Sequence, residues 1–353
     1  MKIRPARKRD FGGIKEIFEL AFTEEYQQRE VNIVQRIEKI ESLYPFVKVL
    51  SLFPNPYQHV FTVHVLEEDG KIAAMAQVSP RNQNQTRWHI DNIAVHPDFR
   101  GRGLAQAILN GVFDYYLAFG ALRFTLEVDT ANAPAIKLYE KLGFRRYSTL
   151  TYSKLAPKRL GKFREPEDTL KVPEGLRVRR PSDTETLWEL YQDAIPPYIR
   201  VVEERTPQDL SLGPLQLGAE WLKKSLKRSQ ALHLVVEDHH KRLVGSLDIF
   251  AQLRSLPHVI QMTVHPGHGH LAEPLLKYAL QQLALVSVNP VLIGCYECQR
   301  AKQDAITALG FKKLTADYLM VRDTLEKLEL PTGQETVSTE GFFKPTVTFD
   351  KHS

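Results

Sequence analysis

Cysteine is nearly absent from this chain: two residues in 353, Cys295 and Cys298. So few thiols exclude a disulfide framework and fit a reducing compartment, so a cytoplasmic protein is expected. Long apolar runs are missing too, and none approaches the roughly 18 residues that a membrane-spanning helix requires. Met1 to Asp10 is charged with no apolar stretch behind it, so a secretory leader is not expected. Charge of one sign is scarce, with a net +5 over the whole length. The local basic run Lys154, Lys158, Arg159, Lys162 and Arg164 has only Phe163 among it, which builds no stacking platform for bases. Neither a nucleic acid nor a membrane is therefore expected as partner. What is present, 43% hydrophobic and 25% charged residues, describes a globular protein long enough for two domains.

The chain repeats its landmarks. Ile3-Arg4-Pro5-Ala6 is echoed by Val178-Arg179-Arg180-Pro181, Val95-His96-Pro97 by Val264-His265-Pro266, and Leu142-Gly143-Phe144 by Leu309-Gly310-Phe311. Order and approximate spacing are kept, which marks an internal repeat. Ile14, Ile17, Phe18 and Phe22 share one helical face in the first half; Leu187, Leu190, Tyr191 and Ala194 do so in the second. Hairpins are expected at Phe61 to Leu66 with Ile72 to Val78, through Asp69-Gly70, and at Leu232 to Val236 with Leu243 to Phe250. The first unit continues with a strand from Trp88 to Val95 and a helix from Leu104, with Ile108, Val112, Tyr115 and Phe119 on its buried side. A strand at Arg123 to Val128, a helix near Ala133 to Leu142 and a closing hairpin complete it. The expected organisation is an α/β domain over 1–156, a Pro/Gly-rich charged linker over 157–175, a second domain over 176–325 and a tail over 326–353.

Between a strand and a helix stands Val95-His96-Pro97-Asp98-Phe99-Arg100-Gly101-Arg102-Gly103-Leu104-Ala105. Glycines permit a sharp turn and close ligand approach, and the free N–H groups of the next helix attract an anion. A P-loop needs Lys-Ser/Thr where Leu104-Ala105 stands, and a dinucleotide fingerprint needs Gly or Ala where Gln106 stands. Just before the turn, the apolar alternation slips by one residue between Ile90 and Ile93. That is the pattern of a β-bulge, which frees backbone groups to face a ligand. A plain buried strand with a wet Asp91-Asn92 pair is the competing reading.

Arg100, Gly103 and Ala105 fit the pattern Arg/Gln-x-x-Gly-x-Gly/Ala, and Asn132 to Phe144 fits Asn-x-x-Ala-x-x-Leu-Tyr-x-x-x-Gly-Phe. On these two motifs the stretch from Asp91 to Phe144 closely resembles the GCN5-related N-acetyltransferases (GNAT), and with Ile3-Arg4-Pro5-Ala6 and Asp10 the resemblance covers most of residues 1–155. The resemblance implies two tandem GNAT folds, each a mixed, mostly antiparallel twisted sheet with helices on both faces. It also implies acetyl-CoA as cosubstrate. Pantetheine would pair with the exposed edge of Ile93, Ala94 and Val95. Pyrophosphate would lie on the backbone of Gly101, Arg102, Gly103, Leu104 and Ala105, assisted by Arg100 and Arg102. Asn132 would reach the cofactor besides capping its helix.

Attack of an amine on a thioester expels a thiolate, and Tyr139 is the candidate acid that protonates it. Its alternative role is a packed core aromatic. An ammonium acceptor must first lose a proton. Glu127 is the candidate base, in an arrangement that resembles the N-terminal acetyltransferases of ribosomal proteins; Asp91 and His89 are alternatives. With no cysteine in the first half, a covalent acyl-cysteine route has no nucleophile there. The expected reaction is direct transfer of acetyl to a primary amine, on a small molecule or a peptide, in a ternary complex. The alternative is a non-catalytic acyl-CoA sensor or assembly module.

The second half departs from the motifs. Gly267-His268-Gly269-His270-Leu271-Ala272 lacks Arg-x-x-Gly-x-Ala, Ile306 stands where Tyr139 would be, and Gln299 where Asn132 would be. This half is expected to keep the fold without the chemistry. His265, His268, His270, Cys295 and Cys298 are of types that bind zinc, yet residues three apart on a strand face opposite sides, so no metal is expected.

Overall fold

The computed structural model describes residues 2–28, 62–82, 84–164, 171–213, 229–253 and 256–324. Phe61, the side chain of Phe22, part of the expected linker and the expected tail lie outside these residues. In the first half β1 (Lys2–Pro5) and α1 (Phe11–Gln28) precede β2 (Thr62–Glu68), β3 (Lys71–Pro80) and β4 (Arg87–Val95). Then come α2 (Leu104–Leu117), β5 (Arg123–Asp129), α3 (Ala133–Lys141), β6 (Arg145–Leu155) and the single turn α4 (Pro157–Leu160). The second half repeats the plan with β7 (Leu176–Val178), α5 (Thr184–Ala194), α6 (Pro197–Glu203), β8 (Ser229–Glu237), β9 (Leu243–Gln252) and β10 (His258–Val264). It ends with α7 (Ala272–Val286), β11 (Val291–Tyr296), α8 (Arg300–Ala308) and β12 (Lys312–Asp323).

Local chemistry explains most of these elements. Asp69 and Gly70 both have positive φ, 52° and 74°, the geometry of a tight turn that matches strand twist, and β2 and β3 flank it. Ile14, Ile17 and Phe18 of α1 are essentially inaccessible, as are Leu187, Leu190 and Tyr191 of α5. The α2 stripe differs from expectation. Leu104, Ile108, Leu109, Val112, Phe113 and Tyr116 are buried, whereas Tyr115 is 39% and Phe119 is 69% exposed. The helix turns 3.6 residues per turn, so the buried face passes through Tyr116, and Phe119 falls beyond the helix end.

Each half opens with the same buried ion network. Arg4 makes two bonds to Asp10, of 2.6 and 3.0 Å, and one of 2.8 Å to Glu67, while the Asp10 carboxylate accepts from the Arg7 N–H at 2.6 Å. Arg177 grips Asp183 and Glu237 in the same way, and Asp183 accepts from Arg180 N–H. Arg4 therefore corresponds to Arg177, two residues before the Arg179 that the sequence echo selects. The echo matches letters; the network matches the residue that faces the first turn.

All strands join one sheet, in the order β1-β2-β3-β4-β5-β12-β6-β11-β10-β9-β8-β7. The closing hairpin expected for the first half does not form. Instead the halves exchange their last strands. β12, from the end of the second half, runs antiparallel to β5, with Leu319 opposite Glu127. β6, from the end of the first half, runs antiparallel to β11, with Ser153 opposite Ile293. The two exchanged strands pair with each other in the centre. Side chains follow: Met320 packs in the first core with Phe113 and Phe124, and Leu155 and Leu160 pack in the second with Leu280 and Ile293. The start of the expected linker is thus part of the second core.

Met320 is 1% exposed, so Met320→Ala should cost about 2–4 kcal/mol of stability in urea unfolding. The accompanying rise in amide hydrogen exchange should fall on Arg123–Asp129, far away in sequence, because that strand loses its neighbour.

Candidate active site

β4 carries a bulge at Asp91. Val78 pairs with Ile90 and Gln77 with Asn92, so Asp91 is an extra residue. The inserted residue flips the alternation, and Ile93 and Val95 join Trp88 and Ile90 on the core beneath α2 while Ala94 turns to α1. β4 and β5 run parallel only from Arg87–Arg123 to Ile90–Leu126. Beyond that point β4 holds to β3 through Ile93–Ala76, Ala94–Met75 and Val95–Ala74, and its other edge parts from β5. A bulge sharpens local twist, which is what separates the two strands. The result is a gap flanked by the backbone of residues 92–95.

The glycine turn sits at the end of that gap. Pro97–Phe99 form one 3-10 turn anchored by buried Phe99. Gly101 and Gly103 then take φ of 78° and 74°, with no atom within 4 Å of where a Cβ would stand. A side chain at either would strain the backbone and fill open space. Gly103 O accepts from Ala107 N at 3.0 Å, which leaves the N–H groups of Leu104, Ala105 and Gln106 without intrahelical acceptors at the positive end of α2. Leu104 is buried and fixes the helix start. Arg102 lies over Phe99, 5.2 Å from the ring centre, and Arg100 stands exposed beside the turn.

Asn132 caps α3, its Oδ1 accepting from Ala135 N at 3.2 Å. Tyr139, in the last turn of α3, packs edge-on to Phe144 with ring centres 6.0 Å apart. Burial pushes its phenol up to about 12, so it remains a proton donor at neutral pH. Among the base candidates, His89 accepts or donates one bond with Thr125 Oγ1 at 2.9 Å, and burial with the nearby Arg81 charge lowers it to about 3. So weak a base is poorly matched to deprotonating an ammonium. Asp91 is raised by burial, opposed by the Ser79 hydroxyl at 3.0 Å and by Arg81. Glu127 is exposed on β5, with the Tyr152 hydroxyl 3.4 Å from its Oε2.

His89, Thr125 and Glu127 point away from the α2 face and into a cleft of about 800 Å³. Both halves line it; a part for the second half in shaping the acceptor cleft is one of the two roles its sequence suggests, but none of its lining residues is identifiable from the sequence. Arg87 donates to Glu203 O at 2.7 Å, and Arg123 donates to Val201 O and to Glu204 Oε1, the latter at 2.8 Å. These bonds hold the end of α6 over β4 and β5. Behind it, Tyr191 and Tyr296 both donate to Glu203. Tyr147 enters the same cleft from a bulge in β6, between Arg146–Met320 and Ser148–Leu319. No local motif announces these residues, because the strand exchange brings them together. The turn, Asn132 and Tyr139 lie on the α2 side of the sheet and Glu127 on the other, and the gap between β4 and β5 joins the two sides.

Residues 11–144 match the model of the Acetyltransferase (GNAT) family. Streptothricin acetyltransferase of Streptomyces lavendulae is 40% identical over 76 residues, 22% of this chain and 40% of that protein. The ribosomal protein bS18-alanine N-acetyltransferase of Escherichia coli (strain K12) is 40% identical over 79 residues, 22% of this chain and 51% of that protein. The chain thus spans about half or less of the length of these curated relatives. Among solved structures, a GCN5-related N-acetyltransferase from Sphaerobacter thermophilus aligns with a TM-score of 0.60 at 16% identity, over 91% of this chain and 95% of that one. A tandem GNAT protein from the clavulanic acid biosynthesis pathway aligns at 0.55 and 16% identity, over 91% and 98%. The match to the GNAT family thus covers residues 11–144, and the fold of the whole chain is similar to that of a tandem GNAT protein.

The second half differs at the corresponding positions. β10 pairs with β9 without a register shift, so it has no bulge. It too parts from β11 after Ile260–Ile293. Lys302 of α8, 8% exposed, fills that gap and donates from Nζ to Met262 O at 2.8 Å. The backbone bond Phe311 N to Ile306 O repeats Phe144 N to Tyr139 O, which places Ile306 at the tyrosine's position and without a proton to give. Gly269 lies so close to Ala301 that an added Cβ would sit 2.9 Å from the Ala301 Cβ, where the Gly101 and Gly103 positions are open. Among the described residues no group of three or more His, Cys, Asp or Glu side chains is arranged to hold a metal. His265 and His268 face each other with Nδ1 atoms 3.4 Å apart, while Cys295 turns to the carbonyls of Tyr296 and Gln299. Also among the described residues, no helix is long and apolar enough to cross a membrane.

Burial lowers the Lys302 ammonium from 10.5 to about 8. The folded state therefore binds fewer protons than the unfolded state between those pH values, and its stability rises with pH through that window. Comparison with Lys302→Met by urea unfolding should show the native protein gaining about 2–3 kcal/mol on the variant between pH 7 and pH 10.

Proposed function

We propose that the first half transfers an acetyl group from acetyl-CoA to a primary amine by direct attack in a ternary complex. The observation that carries this reading is the strand gap at Asp91 running into an open, positively polarised turn, with a protonated phenol on the adjoining helix. The family generally uses acyl-CoA, and the residues present fit it. The free edge of Ile93, Ala94 and Val95 offers backbone partners to an extended amide-bearing arm. The N–H groups of residues 101–105, with Arg100 and Arg102, offer charge and donors to a pyrophosphate.

The chemistry divides across the sheet. Glu127, facing the cleft, takes the proton from the incoming ammonium. The freed amine forms a bond to the acyl carbon as the carbon–sulfur bond breaks, and backbone N–H groups of the bulged strand stabilise the developing oxyanion. Tyr139 gives its proton to the departing thiolate, and the surplus proton on the newly acylated nitrogen passes through solvent to restore the phenol. Asn132 holds the helix start that positions Tyr139. The relatives' names describe acetyl transfer to streptothricin and N-acetylation of a ribosomal protein's alanine.

Tyr139→Phe should lower kcat about 100-fold in a free-thiol release assay with an amine acceptor, with acetyl-CoA affinity retained in calorimetry. An unchanged rate across pH would sink the acid assignment. Tight acetyl-CoA binding with no turnover of any amine by the native protein would favour a sensor instead.

A further inference from the structure

The cleft has its charges matched almost throughout. Arg87 and Arg123 donate to the 201–204 backbone, and Arg123 also pairs with Glu204 and Asp323. Arg205 pairs with Glu203 at 3.1 Å and lies over the Tyr191 ring. Asp209 is taken by the Thr206 N–H and hydroxyl.

Arg81 is different. Its backbone N–H donates to Arg87 O at 2.8 Å, so the β3–β4 hairpin fixes where it starts. Its side chain is 51% exposed and lines the cleft. Among the described residues its guanidinium makes no hydrogen bond, and its one ion pair, with Asp91, is 3.9 Å long. Asp91 already accepts from Ser79. The Arg81 charge acts on both His89 and Tyr147, and Tyr147 also feels Glu127. A cation with its planar fork of donors unused thus faces the same pocket as the carboxylate assigned to the amine.

We infer, resting on the acetyl transfer proposed above, that the acceptor carries an acid group as well as its amine, and that Arg81 binds that group. An amino-acid-like zwitterion meets Arg81 with its anion while its ammonium approaches Glu127. A guanidinium grips a carboxylate or phosphonate through two parallel bonds, which fixes orientation as well as charge. A diamine would instead bring its second cation toward Arg81. The cleft volume, about 800 Å³, lies in the range of small-molecule sites.

The test is a series of acceptors matched in length, read by free-thiol release. β-Alanine, γ-aminobutyrate and glycylglycine are compared with propylamine, butylamine and glycylglycinamide, together with putrescine and aminoethylphosphonate. In the native protein the acid-bearing members should exceed their neutral partners in kcat/KM by about 10–100-fold. Arg81→Gln should collapse that ratio toward one, chiefly through KM, and Arg81→Lys should restore part of it. Preference for aminoethylphosphonate over β-alanine would identify a phosphonate- or phosphate-type acid, and preference for glycylglycine a peptide terminus; either supports the inference. A native ratio near one, a ratio untouched by Arg81→Gln, or putrescine as the best acceptor would overturn it. So would absence of turnover across the series in protein that binds acetyl-CoA. Failure to bind acetyl-CoA would overturn the acetyl-transfer reading itself.

Discussion

Antiparallel pairing of β6 with β12 is the constraint on which the rest of this molecule depends. Each strand closes the sheet of the opposite half, through β12 on β5 and β6 on β11. A sheet with its edge strand missing would expose backbone groups that demand partners. Here each half supplies the other's edge, and both cores reach across the exchange through Met320 and Leu155. The two copies are consequently one sheet, and their relative placement is set by a hydrogen-bond register rather than by a surface contact.

That placement makes an asymmetric pair of sites from a repeated plan. In the first half the parted strands β4 and β5 leave backbone open beside an unobstructed turn. In the second, the same parting between β10 and β11 is closed by Lys302, and the turn packs against Ala301. A buried ammonium is an expensive way to satisfy one carbonyl, since burial disfavours the charged form. It lies where the first half keeps its strand edge open. Meanwhile the second half's own helix α6 is turned to a different use, as the roof over the first half's cleft, pinned there by Arg87 and Arg123.

What the sequence revealed was what local rules control. The slip between Ile90 and Ile93 is a one-residue bulge, the two glycines do take positive φ, and Ile14, Ile17, Phe18, Leu187 and Leu190 do face cores. Periodicity went astray at Tyr115 and Phe119, where a spacing of three or four from Val112 fits either of two faces and only packing decides. The letter echo at Val178 missed the true repeat at Arg177, because the repeat is carried by an ion network with Asp183 and Glu237 and not by neighbouring identities. The exchanged strands, the roof from α6 and the Lys302 plug involve partners far apart along the chain. No window of sequence contains both members of such a contact.

The exchange also sets an order of assembly. Strand β5 is complete by Asp129, yet its antiparallel neighbour ends at Asp323, close to the last described residue. On a ribosome the first half therefore waits, its sheet edge open, until nearly all of the chain described here has been made. Closing so long a loop is slow, because its entropic cost falls before any contact rewards it. An open edge of that kind is also a template for pairing with another copy of the same chain. In this molecule the first half's sheet cannot be completed until the strand that ends at Asp323 exists.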